Sequence, residues 1–203
     1  SFASGLGEPT LATLTFGTEF LDYDNDGDLD LYLANGHVHP EVGVFDQAAS
    51  YAQTDQLFAN DGDGRYSTVP LTLRGVGRGA AFADIDNDGD LDAFISNNGQ
   101  RAHLLRNDGG NANHWIAVKA VGRVSNRDGI GARIEVVSGD LIQVEEVRSG
   151  SSYLSQNDLR VYFGLGARDQ VDRLEIRWPS GIVQTLEALS VNRVHRVEEP
   201  ISG

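Results

Sequence analysis

Two stretches of the chain, residues 17–35 and 79–97, repeat each other at an offset of 62 positions without a gap. The centre of each copy reads Asp-x-Asp-Asn-Asp-Gly-Asp-Leu-Asp. The positions that are identical in both copies are Gly17, Phe20, Asp22, Asp24, Asn25, Asp26, Gly27, Asp28, Leu29, Asp30 and Asn35. A repeat of this length indicates one supersecondary unit used twice, each copy burying its apolar face against a neighbour.

Short strands joined by tight turns account for the rest of the repeat region. The 24 glycines recur beside Asp and Asn, and apolar residues alternate over short runs, as expected for β-hairpins. A second landmark follows each copy, at 57–62 and 104–109, where the offset falls to 47 and leaves 15 extra residues in the first copy. Within this insertion, Val44–Ala52 is the nearest candidate for a helix.

The second half of the chain has a different pattern, because its charges balance and its apolar residues alternate cleanly. Leu174, Ile176 and Trp178 interleave with charged residues, which indicates a strand with one buried face. Further strands are predicted near 115–121, 132–138, 141–148, 160–163, 182–186 and 193–198. We therefore predict an all-β chain, with two propeller-like repeats that do not close in residues 1–110 and a β-sandwich in residues 111–203.

Each Asp-rich loop has carboxylates at positions 1, 3, 5 and 9 and glycine at position 6. Calcium takes about six to eight hard oxygen ligands, which alternating side chains on a tightly wound loop supply. The sequence therefore predicts two calcium ions, one in each loop. The predicted side-chain ligands are Asp22, Asp24, Asp26 and Asp30, and then Asp84, Asp86, Asp88 and Asp92. The backbone carbonyls of Asp28 and Asp90 are predicted to complete the two sets.

Other interpretations of the loops are weaker. An EF-hand has a glutamate at position 12, where this chain has Leu33 and Ile95. Alternation in the residues that follow places the loops in β-hairpins instead. A solvated acidic turn suits one Asp-Gly pair better than two copies of a nine-residue pattern, and magnesium prefers stricter octahedral geometry with bound water.

Charge and composition restrict the partners. The chain has 30 acidic and 16 basic residues, a net charge of −14, and residues 1–100 contain 17 of the acids against three basic residues. This charge disfavours nucleic acids and anionic membranes as partners. The sequence also contains no cysteine and no apolar run long enough for membrane insertion.

Several segments resemble known families. Residues 17–35 and 79–97 resemble FG-GAP or VCBS-type propeller repeats, whose calcium loops share this spacing. Residues 114–119, 125–133, 163–166 and 172–181 resemble the ASPIC/UnbV domain. The combination is similar to the C-terminal part of the cartilage acidic protein-like family. This resemblance implies a secreted, extracellular or cell-surface protein that binds calcium, and it implies no reaction.

Two further clusters are weaker candidates. His37, His39 and Glu41 form a conceivable transition-metal or catalytic cluster, but an ordinary polar loop is the favoured interpretation, because Pro40 interrupts the pair and the sequence fixes no third ligand. Residues 60–64, Asn-Asp-Gly-Asp-Gly, could lend oxygens to a third ion, but a hairpin turn needs the same residues.

The leading hypothesis for function is an extracellular calcium-binding structural and interaction module, in which calcium makes the hairpin loops rigid. One alternative is a subunit of a self-assembling extracellular fibre, completed by other protein chains that include copies of itself. The other is a calcium-dependent enzyme fragment that uses His37 and His39. The sequence has no nucleophile elbow, phosphate loop or dinucleotide fingerprint, which favours a role without catalysis.

Overall fold

The computed structural model describes residues 3–201, and nearly all of its regular structure is β-strand. The strands of the first half are β1 Thr15–Leu21, β2 Asp30–Asn35, β3 Gln53–Thr54, β4 Gln56–Asn60, β5 Tyr66–Val69, β6 Arg74–Gly75, β7 Gly77–Ala83, β8 Asp92–Asn97 and β9 His103–Leu105. Those of the second half are β10 His114–Val121, β11 Arg133–Ser138, β12 Leu141–Glu146, β13 Val161–Gly166, β14 Gln170–Arg177, β15 Val183–Ser190 and β16 Arg193–Glu198. The helical elements are α1 Val42–Phe45 and a 3-10 turn at Gly110–Ala112.

The two sequence repeats form two separate antiparallel sheets. The first has the strand order β1-β2-β4-β5 and the second has the order β7-β8-β9. The short strands β3 and β6 pair with each other between them. Within residues 3–201 none of these sheets closes on itself, so the prediction of open, propeller-like repeats is confirmed.

The two repeat sheets pack face to face through one apolar core. Tyr32 and Leu57 of the first sheet and Phe82 and Ile95 of the second belong to a single buried cluster. The backbones of β1 and β7 come close enough that a Cβ on Gly17 would lie 2.7 Å from the carbonyl oxygen of Arg78. A side chain at position 17 would therefore separate the sheets, which explains glycine there.

The second half is a sandwich of two sheets, with the orders β13-β10-β16 and β12-β11-β14-β15. Alternate residues of both sheets meet in one buried cluster, for example Ile116 and Phe163 from the first and Ile134 and Leu174 from the second. The pairing of β10 with β16 is parallel. The seven strands lie within a few residues of the predicted ones, which confirms the predicted β-sandwich.

The predicted helix at Val44–Ala52 is wrong, because α1 starts two residues earlier and ends after a single turn at Phe45. Asp46 leaves the helical conformation, with φ −135° and ψ 101°. Its side chain accepts a hydrogen bond from the N–H of Ala48 at 3.0 Å. Such a local side-chain bond competes with continuation of the helix.

The 3-10 turn at Gly110–Ala112 lies where the repeat region passes into the sandwich, and the division at residues 110 and 111 stays a prediction. None of the helices in residues 3–201 has the length and apolar character to span a membrane.

A buried carboxylate holds the end of the sandwich in place. Glu199 is 2% exposed, and one of its oxygens accepts the N–H groups of Arg123, Val124 and Ser125 at 2.7–2.8 Å. The other oxygen accepts the hydroxyls of Ser125 and Ser180. Burial raises the pKa of this carboxyl, but the hydroxyl and N–H donors outweigh burial and lower the pKa to about 2.

Because the folded-state pKa of Glu199 is depressed, its contribution to stability is present above the ordinary value near 4.5 and lost as the pH falls towards 2. We expect Glu199→Gln to lower the free energy of unfolding by about 1–3 kcal/mol at pH 7. The difference from the unsubstituted protein should shrink between pH 5 and pH 2, because the native side chain also becomes neutral.

Urea unfolding at a series of pH values measures this difference. The control is Glu198→Gln, which removes surface ion pairs with Arg196 and Arg123 and should change the free energy of unfolding much less than Glu199→Gln does. Equal effects of the two substitutions at pH 7 would contradict the role assigned to Glu199.

Candidate metal loops

The first Asp-rich loop connects β1 to β2, and the second connects β7 to β8. Each loop therefore joins the two strands of an antiparallel hairpin. Their backbones turn in the same way. Asn25 and Asn87, at position 4, have φ of 57° and 61°, and Gly27 and Gly89, at position 6, have φ of 103° and 104°. Asparagine tolerates the left-handed region better than most residues and glycine tolerates it best. The repeated sequence therefore winds both loops alike.

The carboxylate at position 1 is the centre around which each loop winds. Asp22 accepts the N–H groups of Asp26 and Gly27 at 3.1 and 2.9 Å. Asp84 accepts those of the equivalent residues at 3.1 and 3.2 Å. A carboxylate oxygen that accepts one such bond keeps a lone pair for a cation.

The carboxylate at position 9 ties each loop to the next strand. Asp30 accepts the N–H groups of Tyr23 and Asn60 at 3.0 and 2.8 Å. Asp92 accepts the N–H of the residue at position 2 of its own loop, and that of Asn107, both at 2.9 Å. Asn60 and Asn107 occupy the second repeated landmark, so these bonds explain why the landmark follows each loop.

Each loop gathers three carboxylates around one point. Oxygens of Asp22, Asp24 and Asp30 all lie within 4.8 Å of one another, and so do oxygens of three residues of the second loop. Those three residues are Asp84, Asp86 and Asp88. The predicted ligands Asp26, Asp28, Asp90 and Asp92 lie outside these two groups in residues 3–201. Their roles as ligands stay predictions.

Buried oxygens without donors support a cation at both loops. In residues 3–201 four buried side-chain atoms lack a hydrogen-bond partner, and two of them are Oδ1 of Asp24 and Oδ1 of Asp90. A buried carboxylate oxygen without a donor is costly, and a hard cation satisfies it. The residues therefore fit a divalent ion in each loop.

Burial and crowding also raise the pKa values of these groups. Burial, with a smaller contribution from neighbouring carboxylates, raises the pKa of Asp22 to about 8, although the N–H of Gly27 opposes the rise. Burial likewise raises the pKa of Asp30 to about 7. In the second loop, burial and the carboxylate of Asp88 raise the pKa of Asp90 to about 7. The charged forms are therefore unfavourable without a nearby cation.

The first loop lies against the sandwich. The carbonyl of Asn25 accepts the N–H of Gly166 at 2.9 Å, and the Asn25 side chain donates to the carbonyl of Gly89 in the second loop at 3.1 Å. The side chain of Asn113, at the start of the sandwich, donates to the carbonyl of Asp24 at 2.9 Å. We call this contact between both loops and the sandwich the joint.

The second loop contributes to the joint through Arg160 and Trp115. Arg160 donates to the carbonyl of Asp84 at 2.9 Å and to the side chain of Asn87 at 3.0 Å. The indole of Trp115, which is 6% exposed, packs directly against Gly89. These residues lie outside the repeated pattern, so no signal in the sequence predicts their contacts with the second loop.

The weaker candidates do not form metal sites in the described part of the chain. His37, His39 and Glu41 are not among the groups of converging ligands, and the His37 ring accepts the N–H of His39 at 3.0 Å. In the turn at 60–64, the Asn60 and Asp61 side chains accept N–H groups of the turn itself. These bonds are those of an ordinary hairpin turn.

The fold and the loops define the chain as a pair of β repeats with Asp-rich loops joined to a β-sandwich, and comparison with known proteins agrees. The FG-GAP-like repeat family model matches residues 22–95, and the ASPIC and UnbV family model matches residues 122–202. The first half of the chain is therefore similar to FG-GAP-like repeats and the second half to ASPIC and UnbV regions, as the sequence resemblance predicts.

Proteins named Cartilage acidic protein 1 are similar to most of the chain. The Mus musculus protein is 28% identical over 169 residues, which cover 79% of this chain and 25% of that protein. The Homo sapiens protein is 28% identical over 169 residues, with 79% and 24% covered, and the Xenopus tropicalis protein is 26% identical over 178 residues, with 81% and 25% covered. The chain spans about a quarter of the length of these relatives.

The joint predicts that Gly89→Ala is more harmful than a comparable glycine substitution elsewhere. A Cβ at position 89 would lie 1.9 Å from the Trp115 ring, in addition to the strain of φ 104°. We expect Gly89→Ala to cost about 3 kcal/mol or more of the free energy of unfolding, because Trp115 must move.

Urea unfolding followed by tryptophan fluorescence measures this cost. The control is Gly181→Ala, where φ is 92° and no atom lies within 4 Å of the added Cβ. It should cost about 1–2 kcal/mol, from backbone strain alone. If both substitutions cost the same, the packing of Trp115 on the second loop is not as described.

Proposed function

We propose that the chain is a calcium-binding structural and interaction module that works outside the cell, with one ion in each Asp-rich loop. The observation that carries this proposal is the convergence of three carboxylates in each loop, together with a buried oxygen of Asp24 in the first loop that has no hydrogen-bond donor. An oxygen in this position needs either a proton or a cation, and the carboxylates gathered beside it favour a cation.

Calcium fits these loops better than other metals. The side chains offer only oxygen donors, which suit calcium, magnesium or manganese rather than zinc or copper. Each loop supplies more than three oxygens once the carbonyls of Asp28 and Asp90 are included, and calcium accepts such large, irregular sets. The proposed ligands are the carboxylates at positions 1, 3, 5 and 9 of each loop, from Asp22 to Asp30 and from Asp84 to Asp92.

The ion would stabilise the joint as well as each hairpin. The carbonyls of Asp24 and Asn25 accept hydrogen bonds from the sandwich. The side chain of Asn25 donates a hydrogen bond to the second loop. A loop whose carboxylates repel one another without a cation cannot hold these groups in fixed positions. Calcium would therefore set the orientation of the repeats relative to the sandwich.

The extracellular location rests on the relatives and on calcium supply. The matched relatives are named for cartilage, and calcium modules outside cells work at millimolar concentrations of the ion. The same setting suits an interaction with other protein chains, because FG-GAP-like repeats expose sheet faces and edges. A net charge of −14 argues against nucleic acids as partners.

The two alternative functions differ in their support. His39 is exposed, and neither histidine lines the cleft of about 340 Å³ between the two repeats and the sandwich, so no observation favours an enzyme built on His37 and His39. Assembly into a fibre requires complementary surfaces at the two ends of the repeat pair, separate from the metal loops.

Calcium binding is tested by isothermal titration calorimetry of the whole chain and of one variant for each loop. We expect two calcium ions per chain, and we expect Asp24→Asn and Asp86→Asn each to weaken one site by about tenfold or more. These two residues occupy the same repeat position. Asp46→Asn, which neutralises an exposed carboxylate on the insertion at the other end of β2 from the loop, is the matched control and should leave both sites unchanged.

Stability gives a second measurement of the same proposal. At free calcium about 100 times the Kd, the free energy of unfolding should rise by about 2.7 kcal/mol for each site, relative to the protein in chelator. If the urea midpoint is the same with calcium and with chelator, the proposal fails.

A further inference from the structure

The cleft of about 340 Å³ between the two repeats and the sandwich has apolar walls that come from two different cores. Leu21 and Leu91 belong to the apolar cluster of the repeats, and Leu159 and Val161 pack against that of the sandwich. All of these except Leu21 are only partly buried. The cleft therefore offers apolar surface to a ligand, in a volume at the lower end of the range for ligand pockets.

The charged groups that line the cleft are mostly acidic. The acidic residues are Glu19, Asp22, Glu145, Glu146 and Asp158, and the basic residues are Arg148 and Arg160. Both arginines already have partners within the chain. Arg160 pairs with Asp158 and donates to the second loop, and Arg148 pairs with Glu145 at 3.3 Å. The cleft therefore keeps an excess of negative charge.

Glu19 is a carboxylate of this cleft that is held in position without a cation. The side chain of Asn157 donates to Glu19 Oε2 at 3.1 Å, and the same side chain accepts the N–H of Phe82 at 3.0 Å. Within residues 3–201 the Glu19 carboxylate makes no ion pair. Burial raises the pKa of this carboxyl above its ordinary value, and the bond from Asn157 opposes the rise. A bound cation would favour its charged form.

The arrangement of the acids distinguishes the cleft from the metal loops. Glu19, Glu145 and Glu146 are not among the groups of converging carboxylates in the described part of the chain. A metal ion needs its ligands around one point. Separate carboxylates beside apolar walls suit an organic cation instead, because such a cation combines a charged end with an apolar stem.

We infer that this cleft binds an arginine side chain of a partner protein, with the guanidinium against Glu19 and the aliphatic stem against Leu91 and Leu159. A guanidinium is flat, donates two hydrogen bonds to one carboxylate and packs on apolar surface, so it fits the cleft better than a lysine ammonium. The net charge of −14 attracts a basic partner and speeds the encounter. The inference names the partner for the interaction role in the proposed function and rests on that role.

Two-dimensional amide NMR of the whole chain in saturating calcium tests the inference, with the blocked dipeptide acetyl-Leu-Arg-amide as the probe. Its leucine supplies a second apolar group for the walls. Saturable shifts should centre on Glu19, Leu91 and Asn157. The Kd should lie between about 0.1 and 10 mM, because so small a ligand makes few contacts.

The charged contact is tested by one matched probe and one matched pair of variants. Acetyl-Leu-citrulline-amide, a neutral isostere, should bind about tenfold more weakly or worse. Glu19→Gln keeps an acceptor for Asn157 but removes the charge, and it should weaken the arginine probe by the same factor. The control is Glu187→Gln, on an exposed position of β15 outside the cleft, which should bind as the parent does.

Arg148→Gln should have the opposite effect, because it releases Glu145 from its partner within the chain. The arginine probe should bind about two- to fivefold more tightly, as expected for the loss of a competing surface ion pair. The Arg148 side chain is 63% exposed, so this variant should keep the unfolding midpoint of the parent.

The inference is wrong if the arginine probe gives no saturable shifts at about 20 mM, or if its shifts lie outside the cleft. It is equally wrong if citrulline binds as tightly as arginine, if Glu19→Gln binds as the parent does, or if Arg148→Gln weakens binding. Should Glu19→Gln unfold at a lower midpoint, the comparison of arginine with citrulline on the unsubstituted protein decides.

Calorimetry of the same samples with calcium separates this inference from the proposed function. Two bound calcium ions without binding of the arginine probe would contradict the inference alone. Absence of calcium binding would contradict the proposed function, whatever the probe does.

Discussion

The structure depends on how it accommodates carboxylates that are close together and partly removed from water. Two carboxylates about 4 Å apart repel each other by roughly 4 kcal/mol at an effective dielectric constant near 20. Each loop gathers three, and the sandwich then covers part of the first loop. Hydrogen bonds from the loop N–H groups offset some of this repulsion. The proposed divalent ion would offset the remainder, and the hairpins and the joint would then keep one arrangement.

The same chain contains a buried carboxylate that needs no cation. Five N–H and hydroxyl donors surround Glu199, and its pKa is lowered to about 2. Asp22 has two donors and several carboxylate neighbours, and its pKa is raised to about 8. The comparison separates two roles for buried acids. Glu199 is stabilised by donors of the sandwich alone, whereas Asp22 and its neighbours converge as the proposed ion would require.

Much of the fold could be predicted from the sequence because its signals are local. The alternation of apolar and polar residues predicted the sandwich strands. The repeated Asp-rich pattern predicted the two hairpins, because the backbone conformations of Asn25 and Gly27 depend on adjacent residues. The helix at Val44–Ala52 was wrong because the bond between Asp46 and Ala48 ends the turn. The contacts of Arg160 and Trp115 with the loops join residues far apart in the chain, and no periodic pattern encodes such contacts.

The most direct test of the account is anomalous diffraction from crystals of the chain grown in millimolar calcium. The account predicts two anomalous peaks, one among the oxygens of Asp22, Asp24 and Asp30, and one at the equivalent place in the second loop. It also predicts that Asp24 Oδ1, which has no hydrogen-bond donor, faces the first of these peaks. Ordered water without anomalous signal at both loops would contradict the account.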